Sequence, residues 1–232
     1  MQIKKAMILA AGFGKRMMPL TEKTPKPLIN IGPKSLLERS IELLIKIGID
    51  ELVLNTHYLS DEIENFLKNK SYEINIQTHK EEVLLDTGGG ILNATKKFKN
   101  EPFFVFNPDT IWNKNYYEEL KILENFYLEK NQSVLLLVNK NKSHDKSFKG
   151  DFNFAKNQVI MREKNNQHIF TGAQIINRSV FNGVEDRIFS MNLVWDNLIK
   201  RQRLFGQESN QTFFHVNNIK VYKELNKLKF ID

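Results

Sequence analysis

The sequence predicts an α/β fold with a doubly wound, mostly parallel, Rossmann-like sheet. Short apolar runs of strand length alternate with amphipathic segments of helical period from the start of the chain. Such alternation predicts parallel strands joined by right-handed crossovers. The chain has 232 residues, of which 41% are hydrophobic and 11% aromatic, enough for one substantial domain with at most a small appendage. We therefore expect a single domain that spans residues 1–232.

Composition excludes several functional classes. The chain has no cysteine, which excludes disulfides, thiolate metal ligands and a cysteine nucleophile. The formal net charge is +7, but the lysines are scattered among asparagines, so we expect solvated faces and no nucleic-acid partner. The apolar run Ala6 to Ala11 is too short for a signal-peptide core or a membrane span. We expect a cytoplasmic protein with no membrane partner, as a monomer or small homo-oligomer.

The first structural unit is predicted to be a strand, a loop and a helix. Lys5 to Leu9 forms the buried strand, and Ser35 to Ile47 forms an amphipathic helix. Ser35 is suited to cap the start of this helix and Gly48 to cap its end. The next predicted strand is Glu51 to Asn55.

A second unit of the same kind follows. Ser60 is predicted to cap a helix from Asp61 to Lys68, and Ile74 to Thr78 is predicted as a strand. Three glycines, Gly88 to Gly90, then follow Thr87 at the start of an apparent helix. Glycines at a helix N-terminus permit close approach of a ligand to the backbone, and a structural turn is the alternative.

The middle of the chain begins with the central strand. The segment Pro102 to Trp112 starts with five apolar residues, which predict a strand that ends at Asn107, Pro108 and Asp109. An Asp after a strand is often a turn residue. At the carboxyl end of a central strand it is also a suitable magnesium ligand.

The later elements carry less chemistry. Tyr116 to Glu129 is predicted as a helix and Ser133 to Asn139 as a buried strand. A polar loop and a hairpin follow, and the pair His144 and Asp145 is interpreted as a surface pair. The remaining predicted elements are a strand in Ile169 to Phe181, a helix at Leu193 to Arg203, a strand at Gln211 to Asn217 and a helix at Val221 to Leu228.

The segment Leu9 to Leu28 reads LAAGFGKRMMPLTEKTPKPL and predicts a phosphate-binding loop after the first strand. Gly12 and Gly14 let polyphosphate oxygens approach backbone N–H groups, and glycine also permits the positive φ that such loops use. Arg16 and Lys26 supply positive charge. The spacing matches neither a Walker A loop nor a dinucleotide fingerprint.

This segment resembles the signature LAAGxGxRMxPLTxxxPKPL of the sugar-1-phosphate nucleotidylyltransferases at nearly every defining position. The TGGG of Thr87 to Gly90 is typical of compact bacterial members, and NPD at Asn107 to Asp109 resembles the family's NGD or NxD. The resemblance implies a GT-A-like nucleotidyltransferase fold with a small sugar-side β subregion. It places the nucleotide-binding part at about 1–112 and the sugar-binding part at about 113–232.

The resemblance also implies site residues, position by position. It assigns Arg16 to the leaving part of the triphosphate, Lys26 to the reacting phosphates and Asp109 to Mg²⁺. Nucleotide contacts are expected from Leu9, Ala10, Ala11, Gly12, Gly14, Lys15, Glu81, Thr87 and Gly88. Sugar contacts are expected from Asn107, Asp151, Thr171 and Gly172.

The chain departs from the family pattern near its end. Relatives have a segment such as VDVGT or DIGT, whose Asp is a second metal ligand, whereas this chain has HVNNIK, with Asn217 at that position. An amide oxygen can bind Mg²⁺ but brings no charge, so we expect weaker metal binding. Three alternatives remain: Asp109 and the phosphates suffice, another carboxylate such as Asp151 helps, or activity is impaired.

The implied reaction is attack by a sugar 1-phosphate on the α-phosphorus of a nucleoside triphosphate, with Mg²⁺ as cofactor and pyrophosphate as leaving group. From the chain length we expect neither the β-helix nor the dimerisation arm of larger members. The compact branch implies UTP and N-acetylmuramate 1-phosphate, used in cell-wall sugar recycling. Mannose 1-phosphate with GTP, or another hexose 1-phosphate, is the alternative. Non-catalytic binding of a nucleotide sugar, suggested by Asn217, is a third.

Overall fold

A central sheet organises the protein. The computed structural model describes residues 2–228, so Met1 and residues 229–232 of the expected domain lie outside the described part. The strands are β1 Lys5–Leu9, β2 Asn30–Ile31, β3 Lys34–Ser35, β4 Glu51–Thr56, β5 Asn75–Lys80, β6 Phe103–Phe106, β7 Ser133–Asn139, β8 Asn153–Phe154, β9 Ile160–Met161, β10 His168–Ile176 and β11 Leu204–Ser209.

The helices flank this sheet. They are α1 Leu36–Ile47, α2 Ser60–Lys68, α3 Asp86–Ala94, α4 Tyr116–Lys130, α5 Met191–Lys200 and α6 Ile219–Leu225. The longest, α4, has 15 residues, and a membrane-spanning helix needs about 20. Within residues 2–228, no helix combines the length and the apolar character that crossing a bilayer requires.

The sheet topology confirms the predicted fold class. In the described residues the central sheet has seven strands in the order β11-β7-β10-β6-β1-β4-β5. Neighbours pair in parallel except at β10, which runs antiparallel to both β6 and β7. The chain moves outward from β1 through β4 to β5 and then returns to place β6 on the other side of β1. The strand order therefore reverses between β1 and β6.

Both faces of the sheet are buried, as a doubly wound fold requires. Successive side chains of a strand point to opposite faces, and β1 shows the result. Ala6 and Ile8 pack into one hydrophobic cluster with residues of α1 and α4, whereas Met7 packs into a second cluster with residues of α3 and α5. The continuous apolar run in β1 follows from this double burial.

The caps of α1 are confirmed, but the predicted cap of α2 is wrong. Ser35 Oγ accepts a hydrogen bond of 3.1 Å from Glu38 N, and Gly48 ends α1 with φ 96°. Ser60 instead lies inside α2, and Leu59 precedes the helix with φ 49° and no side-chain cap. The Ser60 hydroxyl donates to the Asp61 carboxylate at 3.3 Å.

The last quarter of the chain differs most from the prediction. The strand is β11, which pairs in parallel with β7, and not Gln211 to Asn217. That segment is instead a loop with isolated bridges, Thr110 to His215 and Ser143 to Phe213. Its aromatic residues favour a strand by propensity, but tertiary contacts decide the outcome.

A small two-stranded sheet confirms the predicted β subregion. β8 pairs antiparallel with β9 after the polar loop that follows β7. Phe154 of β8 and Ile160 of β9 both pack toward Gly206 of β11, where a Cβ would lie 2.7 Å from the Phe154 ring. The hairpin is thus fixed on the edge strand of the main sheet.

Candidate active site

A cleft of about 340 Å³ opens at the carboxyl ends of β1 and β6. The strand order reverses at this point, and ligands of open α/β sheets bind at such positions. Most residues expected from the sequence line the cleft: Leu9, Ala10, Ala11, Gly12, Gly14, Lys15, Arg16, Lys26, Thr87, Asn107, Asp109 and Asn217. The remaining expected residues, Glu81, Gly88, Asp151, Thr171 and Gly172, do not line it.

The loop after β1 presents backbone donors to the cleft. The N–H groups of residues 11–14 donate no hydrogen bond to any group in residues 2–228. A Cβ at Gly12 would meet no protein atom within 4 Å, so internal packing does not require a glycine there. Successive free N–H groups in a loop form a binding site for anions.

Gly14 joins this loop to Lys26. Its φ is 64°, and a Cβ there would lie 2.9 Å from Thr21 Cγ2 and 3.1 Å from Lys26 Cβ. The Gly14 carbonyl accepts hydrogen bonds from Met17 N at 2.8 Å and from Thr21 Oγ1 at 3.0 Å. A side chain at this position would push the loop away from the lysine.

Gly14→Ala is expected to lower the free energy of unfolding by about 1–3 kcal/mol, because a non-glycine residue is strained at positive φ and its Cβ would crowd Thr21. Urea unfolding measures the loss. Gly12→Ala is the matched control and should change stability by less than about 0.5 kcal/mol, because its Cβ points into open space. Equal losses in the two variants would contradict this account of the loop.

Asp109 lies at the centre of the charged groups. Its Oδ2 accepts from Lys26 Nζ at 2.7 Å and lies 3.2 Å from His215 Nε2. Burial opposes ionisation of this carboxyl, but the adjacent His215 and Lys26 outweigh that effect and hold the pKa of Asp109 far below its usual range. Asp109 is therefore ionised at neutral pH.

The second oxygen of Asp109 fits a divalent cation. Asp109 Oδ1 is buried and has no hydrogen-bond partner among the described residues. In residues 2–228 no cluster of three or more His, Cys, Asp or Glu side chains could hold a metal ion. Mg²⁺ does not need such a cluster, because it binds through one or two carboxylates together with substrate phosphates. The site suits a cation that arrives with a polyphosphate.

Asn217 lines the same cleft, but its amide is already hydrogen-bonded. Its Nδ2 donates to Asp145 Oδ2 at 2.9 Å, and its Oδ1 accepts from Asn218 Nδ2 at 2.8 Å. An amide oxygen has two lone pairs, so one stays available for a cation. The metal role expected for Asn217 therefore remains a proposal.

Glu81 supports the loop after β1 from behind, and its expected nucleotide contact stays a prediction. Its side chain is buried, with 4% exposure. Its Oε1 accepts from Asn55 Nδ2 at 2.8 Å and its Oε2 from Leu85 N at 3.0 Å. Asn55 Oδ1 in turn accepts from Ala10 N at 3.0 Å. Glu81 thus fixes the start of the phosphate loop through Asn55.

Gly88 packs against protein, and its expected nucleotide contact stays a prediction. Its N–H donates to Phe189 O at 2.9 Å, and a Cβ would lie 2.3 Å from Phe189 Cε2. Thr87 lines the cleft, although its Oγ1 accepts a hydrogen bond from Met191 N. Gly88 therefore lets α3 approach the segment that precedes α5.

Thr171 and Gly172 support the cleft from inside the sheet, and their expected sugar contacts stay predictions. The buried Thr171 hydroxyl donates to Leu136 O at 2.8 Å. Gly172 has φ 96°, its carbonyl accepts from Asn107 N at 2.8 Å, and a Cβ would lie 2.9 Å from Asn107 Cβ. Gly172 thus holds Asn107 in place.

Asp151 also lies outside the residues that line the cleft, and its expected sugar contact stays a prediction. Its Oδ2 accepts from Phe170 N at 2.9 Å, and its own N–H donates to His168 O at 2.7 Å. The carboxylate therefore joins the segment that precedes β8 to β10.

His215 is a residue of the site that could not be identified from the sequence. The segment that contains it pairs with the residues after β6: Val216 N donates to Asp109 O at 2.8 Å, and Ile111 N donates to Phe214 O at 2.9 Å. This pairing places His215 beside Asp109. Asp109 and His215 are far apart in the chain. Only a predicted pairing between their two segments could have indicated that they meet.

Comparisons with known proteins show what the chain is similar to. The sequence model of the nucleotidyl transferase family matches residues 5–160. N-acetylmuramate alpha-1-phosphate uridylyltransferase from Neisseria meningitidis serogroup B is 31% identical over 229 residues, which cover 97% of each chain. Mannose-1-phosphate guanylyltransferase 1 from Arabidopsis thaliana is 41% identical over 112 residues, which cover 46% of this chain and 31% of that protein.

A solved structure supports the fold. UDP-glucose pyrophosphorylase complexed with UDP-glucose superposes with a TM-score of 0.81 at 18% identity and covers 97% of this chain and 98% of its own.

Proposed function

The chain belongs to the nucleotidyl transferase family and is a sugar-1-phosphate nucleotidyltransferase, and we propose that it joins UTP to N-acetylmuramate 1-phosphate. The resemblance in the phosphate loop led to the same enzyme class, which the family match confirms. The choice of substrates is supported by the uridylyltransferase that is 31% identical along 97% of both chains.

One observation of the cleft carries the proposal. The free N–H groups of the loop after β1 lie in the same cleft as Lys26 and the ionised Asp109. Backbone donors and a lysine bind phosphates, whereas a buried carboxylate oxygen without a partner binds a cation. Anion and cation ligands in one cleft suit a metal-bound polyphosphate.

The proposed reaction needs no general base. A sugar phosphate is mostly a dianion at neutral pH, because its second pKa is about 6. One of its oxygens forms a bond to the α-phosphorus of UTP. The bond from that phosphorus to the oxygen that bridges it to the β-phosphorus breaks. The electron pair leaves with pyrophosphate. No proton has to be removed from the nucleophile, so alignment of two anions is the main task of the protein.

Particular residues perform this alignment. The loop of residues 11–14 binds the triphosphate through backbone N–H groups, and Arg16 contacts the departing pyrophosphate. Lys26 neutralises the reacting phosphates. Asp109 provides the carboxylate of a Mg²⁺ site. When bound, Mg²⁺ stabilises negative charge on the α-phosphate.

Mannose 1-phosphate with GTP is the second candidate. The Arabidopsis guanylyltransferase is 41% identical over 112 residues. That match covers less than half of this chain, whereas the match to the uridylyltransferase covers nearly all of it. We therefore rank UTP and the muramate sugar first.

Pyrophosphate release in the presence of Mg²⁺ tests the proposal. UTP, GTP, dTTP and CTP are each offered with N-acetylmuramate, N-acetylglucosamine, glucose and mannose 1-phosphates. We expect kcat/KM for UTP with the muramate sugar to exceed every other pair by at least about 10²-fold, since a site built to hydrogen-bond one ligand strongly rejects others.

Two results would contradict the substrate assignment in different ways. Highest activity with GTP and mannose 1-phosphate would move the assignment to the second candidate. Nucleotide binding without pyrophosphate release from any pair would indicate a binding protein, the alternative suggested by Asn217.

A further inference from the structure

The hydrogen bond between Asn217 and Asp145 has a fixed direction. A carboxylate only accepts hydrogen bonds, so the NH₂ group of Asn217 faces Asp145 and the amide oxygen faces away. Asn217 lines the cleft that contains Asp109. The Asp145 carboxylate, 72 residues away in sequence, and Asn218 Nδ2, which donates to the amide oxygen at 2.8 Å, thus together determine how a cleft residue presents its oxygen.

The backbone holds Asp145 in this position. Ser143 pairs with Phe213, and His144 N donates to Phe213 O at 2.9 Å. The Asp145 Oδ1 also accepts from Ser147 N at 2.9 Å. The loop that carries Asp145 is therefore attached to the segment that carries Asn217, so the contact does not depend on two free side chains.

The charges around Asp109 are consistent with a second carboxylate. Lys26 and His215 both lie within hydrogen-bond range of Asp109 Oδ2. Burial opposes ionisation of Asp145, but hydrogen bonds from Ser147 and Asn217, and to a smaller extent the nearby His215, lower the pKa of this carboxyl. Without another negative group nearby, a cation bound at Asp109 would lie close to two basic groups and only one carboxylate.

We propose that Asp145 and Asn217 act together as the second ligand unit of the divalent-cation site. Asn217 supplies the oxygen, and Asp145 is a positioning residue that accepts the amide hydrogens and thereby increases the negative charge on that oxygen. Carboxylates that hydrogen-bond to metal ligands raise ligand basicity in this way. This inference rests on the proposed function, because that reaction brings a metal-bound triphosphate into the cleft.

The proposal differs from the earlier alternative in which Asp151 helps. Asp151 accepts from Phe170 N and makes no hydrogen bond to Asn217. The two aspartates belong to the same region and have the same charge. Asp151→Asn is therefore a matched control for Asp145→Asn.

Manganese binding tests the proposal without reference to turnover. Mn²⁺ is titrated into the full-length protein, alone and with UTP, and free Mn²⁺ is measured by electron paramagnetic resonance. We expect Asp145→Asn to weaken Mn²⁺ binding by about 10-fold, the lower end of the effect of removing such a supporting group. Asp151→Asn should bind Mn²⁺ as the unchanged protein does. Thermal unfolding verifies that each variant is folded.

Two further variants exchange the partners. Asn217→Asp places a second carboxylate in contact with Asp145, so we expect a lower melting temperature without Mn²⁺ and tighter Mn²⁺ binding. The double variant Asp145→Asn with Asn217→Asp keeps one amide and one carboxylate in exchanged positions. It should bind Mn²⁺ at least as tightly as the unchanged protein, because the carboxylate then occupies the cleft position.

Unchanged Mn²⁺ affinity in a folded Asp145→Asn variant would overturn the inference, as would an equal loss in Asp151→Asn. The proposed function has a separate readout. Loss of Mn²⁺ affinity in Asp145→Asn, with no pyrophosphate release from any substrate pair, would retain this inference and overturn the function. The opposite pair of results would retain the function and overturn the inference.

Discussion

Asp109→Ala is expected to lower kcat/KM for pyrophosphate release by about 10³-fold or more. The substitution removes the carboxylate proposed to hold Mg²⁺. It also leaves Lys26 and His215 close together without the negative charge that both of them contact. Loss of one preorganised electrostatic group in a reaction centre typically costs 10² to 10³ in rate, and here two functions are lost at once. Steady-state pyrophosphate release with saturating Mg²⁺ measures the effect.

Asp109→Asn removes the negative charge of the side chain and keeps its size. This variant should lose activity to a similar extent as Asp109→Ala. The stability of the unchanged protein is expected to depend on pH, because folding lowers the pKa of Asp109. The ionised carboxylate stabilises the fold above the unfolded-state pKa of about 4, and this contribution is lost as the pH falls below that value. Urea unfolding from pH 7 to pH 3 should show less acid dependence in Asp109→Asn. Activity within 10-fold of the unchanged protein would contradict the assigned role.

Arg16→Ala has the second largest expected effect. Arg16 lines the cleft, is exposed, and has no ion pair or side-chain hydrogen bond within residues 2–228. A guanidinium without a protein partner is free to bind phosphate oxygens in pairs. We expect kcat to fall by about 10²-fold, whereas the free energy of unfolding should change by less than about 0.5 kcal/mol.

Two comparisons separate this role from a general need for positive charge. Arg16→Lys keeps the charge but not the planar pair of donors, so we expect a loss between that of the alanine variant and none. Lys15→Ala removes a neighbouring charge whose Nζ lies 5.3 Å from the centre of the Phe13 ring, and it should cost less than Arg16→Ala. Equal effects of Lys15→Ala and Arg16→Ala would show that the loop needs only net charge.

The parts of the site that could be predicted are those with local signals. The strand, glycines and basic residues of Leu9 to Leu28 lie within one segment, and the cleft is formed around them. The caps at Ser35 and Gly48 were likewise predictable, because each depends on a few neighbouring residues. The wrong prediction of Ser60 as a helix cap has the same origin. Serine is a suitable cap residue, but α2 begins at Ser60 itself, one residue earlier than predicted.

The parts that could not be predicted depend on distant contacts. The packing of Phe189 beside Gly88 is one such contact, because the two residues are far apart in the chain. The aromatic segment that contains His215 looked like a strand, yet it pairs only at isolated positions. Asp145 looked like a surface residue because its partner, Asn217, lies in that same mispredicted segment.

The ion pair between Lys26 and Asp109 joins the two walls of the cleft, and it makes anion and cation binding interdependent. Lys26 Nζ donates to Asp109 Oδ2, while the other oxygen, Oδ1, stays open to a cation. We expect a phosphate on Lys26 to weaken this ion pair and leave more negative charge on Asp109 for a cation, and a cation on Asp109 to free Lys26 for phosphate. Binding of either ligand should therefore increase affinity for the other by the same factor, as thermodynamic reciprocity requires. A nucleotide and a cation are thus expected to bind more tightly as a complex than each does alone.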